Sequence, residues 1–188
     1  MSDKYRLYTC DPTLEVAGST TLSFVNNIAT PNIADLVAQH GLDAIDTSRW
    51  YPVRQVFALF NDIVQRENGN TQLFVAMGMR IAEQSEFPEE MKSTLTLAGI
   101  LEGWQAHYTA NHRNGTFPPV ETIKVDDHHY QLVLDKDHIY PFDLVYGMVW
   151  GFCRLLLPTG TKFNIKYDDV HAPFRNYGDR VIIDVGWN

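Results

Sequence analysis

The feature that most constrains the fold is a change in the spacing of apolar residues about two-thirds of the way along the chain. In the first part, apolar residues recur at intervals of three and four, which is typical of helices with one buried face. The clearest run comprises Val53, Val56, Phe57, Phe60 and Val64. It follows Pro52, and proline suits the first turn of a helix. We therefore expect a largely helical N-terminal half, with further helices over 32–40, 73–81 and 87–111.

The last third of the chain follows a different pattern. Two apolar runs, Val120 to Val125 and Tyr130 to Leu134, flank a polar turn and predict a hairpin. A helix from Pro141 to about Leu157 follows, and the segments 162–167 and 180–185 predict two more strands. The order strand–strand–helix–strand–strand behind a helical half predicts an α+β fold, with a C-terminal antiparallel sheet packed on the helices.

Composition limits the classes of function. The 188 residues suit one domain over residues 1–188, and the net charge of −8 argues against binding nucleic acids or anionic membranes, which needs clustered positive charge. No apolar run is long enough to predict a membrane span, and no secretory signal is visible. Because Cys10 and Cys153 alone form no disulfide framework, we expect a reducing, cytoplasmic location.

Four stretches resemble the haem-nitric-oxide-binding (H-NOX) domains and their relatives, the 4-vinyl reductase-type ligand-sensing domains. They are 41–46 with Trp50-Tyr51-Pro52, the helix ending in His107-Tyr108 before Pro118-Pro119, the glycine-punctuated segment 147–154, and Tyr177-Gly178-Asp179 before a strand ending at Trp187. The resemblance spans about residues 41–187. It implies a helical half followed by two hairpins around a helix, a small ligand held between the parts, and signalling to an effector protein, here expected in trans.

The resemblance also makes His107 the candidate axial ligand of a haem iron, because neutral imidazole is a good axial ligand. The Tyr-x-Ser-x-Arg run with which the family holds the haem propionates is missing. The corresponding segment, 134–138, places Asp135 and Asp137 beside Lys136, where propionates need cationic and hydroxyl donors. We therefore expect no stoichiometric haem, and keep a haem-based gas sensor with His107 as axial ligand as an alternative.

Five histidines together invite a metal hypothesis: His107, His112, His128, His129 and His138. His107 and His112 are five residues apart and do not share a helix face, while the adjacent His128 and His129 point in opposite directions on a strand. Some 4-vinyl reductase-type sensors bind zinc through cysteines near the final hairpin, but the segment 170–180 has none, and His171 alone cannot form a site. We therefore expect no structural zinc.

Catalytic motifs are missing from the sequence. It contains no Gly-x-Ser-x-Gly elbow, Walker loop or dinucleotide-binding glycine motif, so an enzyme is less expected than a binding protein. Cys153 lies in an apolar helix and is expected to be a small buried hydrophobe. Gly147 and Gly151, on one face of that helix, are expected to allow close packing against the sheet or the close approach of a ligand.

Aromatic pairs supply the candidate pocket. Trp104 and Tyr108 are four residues apart on one helix, and Tyr146 and Trp150 are four apart on a later helix that begins with Phe142. These faces either meet as an aromatic-walled cleft or form a packed interface without a void. We therefore predict a stand-alone sensor or carrier domain for a small apolar or aromatic ligand, acting as a homodimer. The other alternative is a protein-interaction module that has lost the pocket.

Overall fold

The structure is a computed structural model that describes residues 7–28, 33–85, 87, 89, 94–168 and 180–188. The helices within these ranges are α1 (Gly18–Ile28), α2 (Ala34–Gln39), α3 (Val53–Arg66), α4 (Gln72–Glu83), α5 (Leu97–Glu102), α6 (Trp104–Ala110) and α7 (Phe142–Leu156). The strands are β1 (Glu15–Ala17), β2 (Trp50–Pro52), β3 (His112–Arg113), β4 (Val120–Asp126), β5 (His129–Asp135), β6 (Phe163–Tyr167) and β7 (Arg180–Trp187). None of these helices is long and apolar enough to cross a membrane.

The C-terminal strands form a four-stranded antiparallel sheet in the order β4–β5–β7–β6. With α7 between β5 and β6, the chain follows the predicted strand–strand–helix–strand–strand order, and the α+β prediction is confirmed. Alternate side chains of β5 and β7 enter the core, where Leu132 pairs with Ile183 and Tyr130 pairs with Val185, all with no exposed surface. The two-residue period of apolar side chains therefore determines which face of the sheet meets the helices.

A second, smaller sheet was not predicted. Its order is β2–β1–β3, and Val16 on the central strand lies opposite Tyr51 on one side and His112 on the other. The expectation that Pro52 lies in the first helical turn is wrong, because Trp50–Pro52 is a strand and the helix begins at Val53. Strands of two and three residues are too short to carry a periodic signal, yet this sheet fixes the segment that follows α6.

The long helix predicted over 87–111 is wrong as one element. Thr96 begins α5, since its side chain accepts a hydrogen bond from the Gly99 N–H, and Gly103 both ends α5 and precedes α6. The expected beginning of that helix falls partly on 88 and 90–93, outside the described residues. The same holds for residue 32, the expected start of the first helix, and for the connection over 169–179.

Helices α4 and α7 pack with their backbones in contact. A Cβ atom on Gly147 would lie 2.1 Å from the carbonyl oxygen of Val75, and one on Gly78 would lie 2.2 Å from that of Leu144. Gly151 is similarly close to α4, with its Cβ position 2.5 Å from the Met79 carbonyl oxygen. The glycine face of α7 therefore packs against a helix, not against the sheet as expected, and the contact excludes any side chain larger than hydrogen.

We expect Gly147→Ala to destabilise the protein by at least about 3 kcal/mol, because the added methyl group forces the two helix backbones apart. The better helix propensity of alanine offsets only about 1 kcal/mol of this loss. Urea denaturation measures the difference. Gly186→Ala is the control, since a Cβ atom there would be 4.0 Å from its nearest neighbour, and should change stability by less than about 1 kcal/mol. Equal effects of the two substitutions would contradict the helix contact.

Candidate functional site

A buried group of aromatic rings and imidazoles lies at the inner face of α6, and we call it the Tyr108 cluster. The Tyr108 ring centroid is 4.9 Å from those of His112 and Phe117, 5.5 Å from that of His138 and 6.1 Å from that of Tyr140. Phe117 is half-buried and the other four residues are buried. Their spacing in the sequence gives no sign that they meet, because they come from four separate segments.

The members of the cluster are positioned by several parts of the fold. Tyr108 lies on the inner face of α6, and His112 is held in β3 by its pairing with Val16. His138 and Tyr140 belong to the connection between β5 and α7, which turns where the His138 N–H donates to the Asp135 carbonyl oxygen. The cluster is therefore a meeting point of the helical half, the small sheet and the main sheet.

Both ring nitrogens of His112 are engaged. Nδ1 is 2.7 Å from the Tyr108 carbonyl oxygen and Nε2 is 2.7 Å from the Tyr140 hydroxyl. A carbonyl only accepts, so Nδ1 carries the proton and Nε2 accepts from the tyrosine. Burial lowers the pKa of His112, the nearby His107 lowers it further, and the bond to the Tyr108 carbonyl partly offsets both. His112 is therefore a neutral imidazole that joins α6 to the segment before α7.

The Tyr108 hydroxyl is the unusual group of the cluster. Only 8% of the residue is exposed, and among the described residues its hydroxyl has no hydrogen-bond partner. Burial raises the pKa of this phenol far above its usual range, as does the nearby Tyr140, so the hydroxyl stays protonated and available as a donor. Leaving a buried hydroxyl unsatisfied costs about 1–3 kcal/mol, so this hydroxyl is available to donate to a group beyond the described residues.

The predicted pocket residues separate into two groups. Phe142 stacks on His138 of the cluster at 6.3 Å and so belongs with Tyr108. Trp104, one turn before Tyr108 on α6, lies 6.3 Å from Phe152 instead. Tyr146 and Trp150 instead face β6. Their contacts with that strand are a stacked Tyr146–Tyr167 pair at 4.9 Å, a hydrogen bond from the Tyr146 hydroxyl to the Ile165 carbonyl oxygen, and a Trp150–Phe163 contact at 5.1 Å.

The cluster also continues into an aromatic core around α3. Tyr140 lies 5.3 Å from Phe24 and 5.7 Å from Phe57, and Phe60 lies 5.1 Å from Phe74. Separations of this size are direct ring contacts. A planar macrocycle would have to displace these rings to lie among them.

The other candidate residues have ordinary roles. His129 pairs with Asp184 at 3.0 Å, His128 lies 5.7 Å from the Trp187 ring, and Cys153 is buried, which raises the pKa of its thiol to about 12. Cys10 is half-buried, and burial also raises its pKa. In the part of the chain that the structure describes, no three His, Cys, Asp or Glu side chains converge as a metal site would require.

The residues do not fit a haem held by His107. That histidine is on the exposed face of α6, where its Nε2 is 3.2 Å from the Asn111 side-chain amide, and the next residue, Tyr108, faces the interior. The segment expected to meet the propionates exposes Asp135, Lys136 and Asp137 to solvent. Imidazole can ligate iron only if it points at the macrocycle, so haem binding through His107 needs a different arrangement of α6.

We expect stability to fall on acidification in a way that depends on His112. Its pKa is lowered in the folded protein, so the unfolded chain binds more protons once the pH falls below about 6.5, and the stability present above that pH is lost. His112→Gln should therefore lose less stability than the wild type between about pH 7.5 and pH 5.5. Urea denaturation at both pH values measures this, with His128→Gln at an exposed site as control. Identical profiles for wild type and His112→Gln would contradict the neutral buried imidazole.

Comparisons with known proteins identify the fold. No family model matches the chain, and no curated protein matches it in sequence. Among solved structures, an oxygen-binding H-NOX domain related to soluble guanylate cyclases superimposes with a TM-score of 0.65 at 13% identity, covering 91% of this chain and 94% of that one. A point mutant of T. tengcongensis H-NOX superimposes with a TM-score of 0.63 at 12% identity, covering 91% of this chain and 97% of that one. A Cs H-NOX mutant superimposes with a TM-score of 0.63 at 14% identity, covering 92% of this chain and 96% of that one. This chain therefore has the H-NOX fold.

Proposed function

We propose that this protein is a small-molecule sensor or carrier that uses the H-NOX fold without haem and binds a largely apolar or aromatic ligand at the Tyr108 cluster. The observation that supports this most directly is the buried Tyr108 hydroxyl, which has no partner among the described residues. Ligand pockets are mostly aromatic and apolar with a few convergent polar groups, and the cluster has that composition.

The orientation of α6 supports the haem-free form of the proposal. His107 is exposed and the inner face of the helix presents Trp104 and Tyr108. The carboxylates of Asp135 and Asp137 oppose the binding of propionates, and the rings around Tyr140 are in mutual contact. The solved structures of this fold include one described by its haem redox potential and porphyrin distortion, which is the basis of the alternative, a haem-based gas sensor.

The connections of the cluster supply a way to sense a ligand. His112 joins the Tyr108 carbonyl to the Tyr140 hydroxyl, and Tyr140 is followed directly by Pro141, the residue at the start of α7. A ligand that contacts Tyr108 therefore acts on α6, on β3 and on the start of α7 together. We propose that a change in these positions is the signal, and that an effector protein in trans recognises it.

We expect the freshly purified protein to show no Soret band and to take up no stoichiometric hemin. In a hemin titration followed by absorbance, His107→Ala should match the wild type because the imidazole lies on the outer face of α6. His128→Ala, another exposed histidine, is the matched control. One equivalent of hemin bound by the wild type and lost only in His107→Ala would replace this proposal with the haem-based alternative.

We also propose a homodimer. Exposed apolar side chains on the edge strand β4, Ile123 and Val125, are 38% and 51% accessible and offer a surface that a second copy could cover. Sedimentation equilibrium at high micromolar concentration should show the dimer, and Ile123→Lys should shift it towards monomer. Leu155→Lys, at an exposed apolar position on α7, is the control. A monomeric wild type at that concentration would remove the homodimer.

A further inference from the structure

The chemistry of the Tyr108 cluster limits what it can bind. The Tyr108 hydroxyl carries a proton to donate and has no partner among the described residues, so a ligand that completes it must offer an acceptor oxygen or nitrogen. The rings in contact with Tyr108 belong to His112, Phe117, His138 and Tyr140, and none of these carries a permanent charge. Because a charged ligand would lose its hydration among these rings, the cluster favours a neutral ligand.

The surrounding rings favour a planar, aromatic ligand. Tyr108 meets Phe117 nearly edge to face, at an interplanar angle of 81°, and lies tilted by 32° to the His138 ring. A flat ring small enough to displace only the half-buried Phe117 ring can take over its edge-to-face contact with Tyr108 while an acceptor substituent reaches the hydroxyl. The chemical class is therefore an aromatic carbonyl compound or a close equivalent.

Phe117 lies where such a ligand would enter. It is the half-buried member of the cluster and belongs to the irregular segment 114–119 between β3 and β4. The segment is anchored on both sides of Phe117. Before it, a Cβ atom on Gly115 would lie 2.8 Å from Leu14, and after it the Val120 N–H donates to the Gln105 side chain at 2.7 Å.

We propose that Tyr108 donates a hydrogen bond to a neutral aromatic ligand bearing an acceptor, and that the Phe117 ring covers the entrance to this site. The inference rests on the proposed haem-free function and adds to it the class of ligand, the residue that recognises it and the route of entry. The ligand carbonyl completes the hydrogen bonding of the one cluster hydroxyl that the described residues leave without a partner.

Two probes of nearly identical shape test the hydrogen bond. Acetophenone carries a carbonyl oxygen where α-methylstyrene carries a methylene group, so only the first can accept from Tyr108. Calorimetric titration of the wild type should show acetophenone binding roughly tenfold more tightly than α-methylstyrene. Tyr108→Phe should remove this preference and bind the two probes equally.

Tyr146→Phe is the matched control. It makes the same substitution at a tyrosine whose hydroxyl already donates to the Ile165 carbonyl oxygen at 3.0 Å. We expect it to keep the wild-type preference for acetophenone and to lower the melting temperature, whereas Tyr108→Phe should keep or raise the melting temperature because it removes an unsatisfied buried hydroxyl. Opposite thermal effects of the two variants are a readout that does not depend on any ligand.

The entrance is tested by Phe117→Ala. Stopped-flow mixing with acetophenone should show association and dissociation rates that both increase severalfold, because the ring no longer covers the site. Unchanged rates would overturn the assignment of the entrance.

The outcomes separate this inference from the proposed function. If the wild type binds acetophenone but Tyr108→Phe binds it equally well, or if the wild type does not distinguish the two probes, the recognition by Tyr108 is wrong while a haem-free binding function stands. If neither probe binds and a broad panel of aromatic compounds gives no thermal shift, the proposed function fails and this inference fails with it.

Discussion

The backbone contact between α4 and α7 is the constraint on which the rest of the structure depends. Gly78, Gly147 and Gly151 bring the two helices together with no side chain between them, so one face of α7 is committed to α4. The remaining faces then meet different neighbours, with Tyr146 against β6 and Phe152 against Trp104. A pocket walled by both aromatic pairs would require α7 to be rotated about its axis, and the glycine contact prevents that rotation.

A second constraint acts through hydrogen bonds instead of packing. His112, in the small sheet, bonds to both the α6 backbone and Tyr140, and burial keeps it neutral. These two bonds hold Tyr140 where its ring packs against the aromatic core, while the Tyr108 hydroxyl has no partner among the described residues.

The sequence predicted those parts of the fold that carry a long periodic signal. The four strands of the main sheet and α7 have apolar residues at regular spacing and were found within one or two residues of their observed ends. The small sheet has no such signal, because its strands are two or three residues long. The break at Gly103 was missed since helical spacing continues through it, and that break is what orients α6. His107 and Tyr108 are separated by about 100° around a helix, so pattern alone did not decide which of them faces inward.

Which of His107 and Tyr108 faces inward depends on the rotation of α6 about its axis, and that rotation determines the chemistry that the fold presents. An inward imidazole on α6 would offer a lone pair to a metal, whereas an inward phenol held protonated by burial offers a proton to an acceptor. The fold supplies the same helix, sheet and connection in either case, so similarity of backbone carries no information about which atom is presented. The proposed ligand is therefore set by the side chains on the inner face of α6, where the Tyr108 hydroxyl, a donor without a partner among the described residues, favours an acceptor.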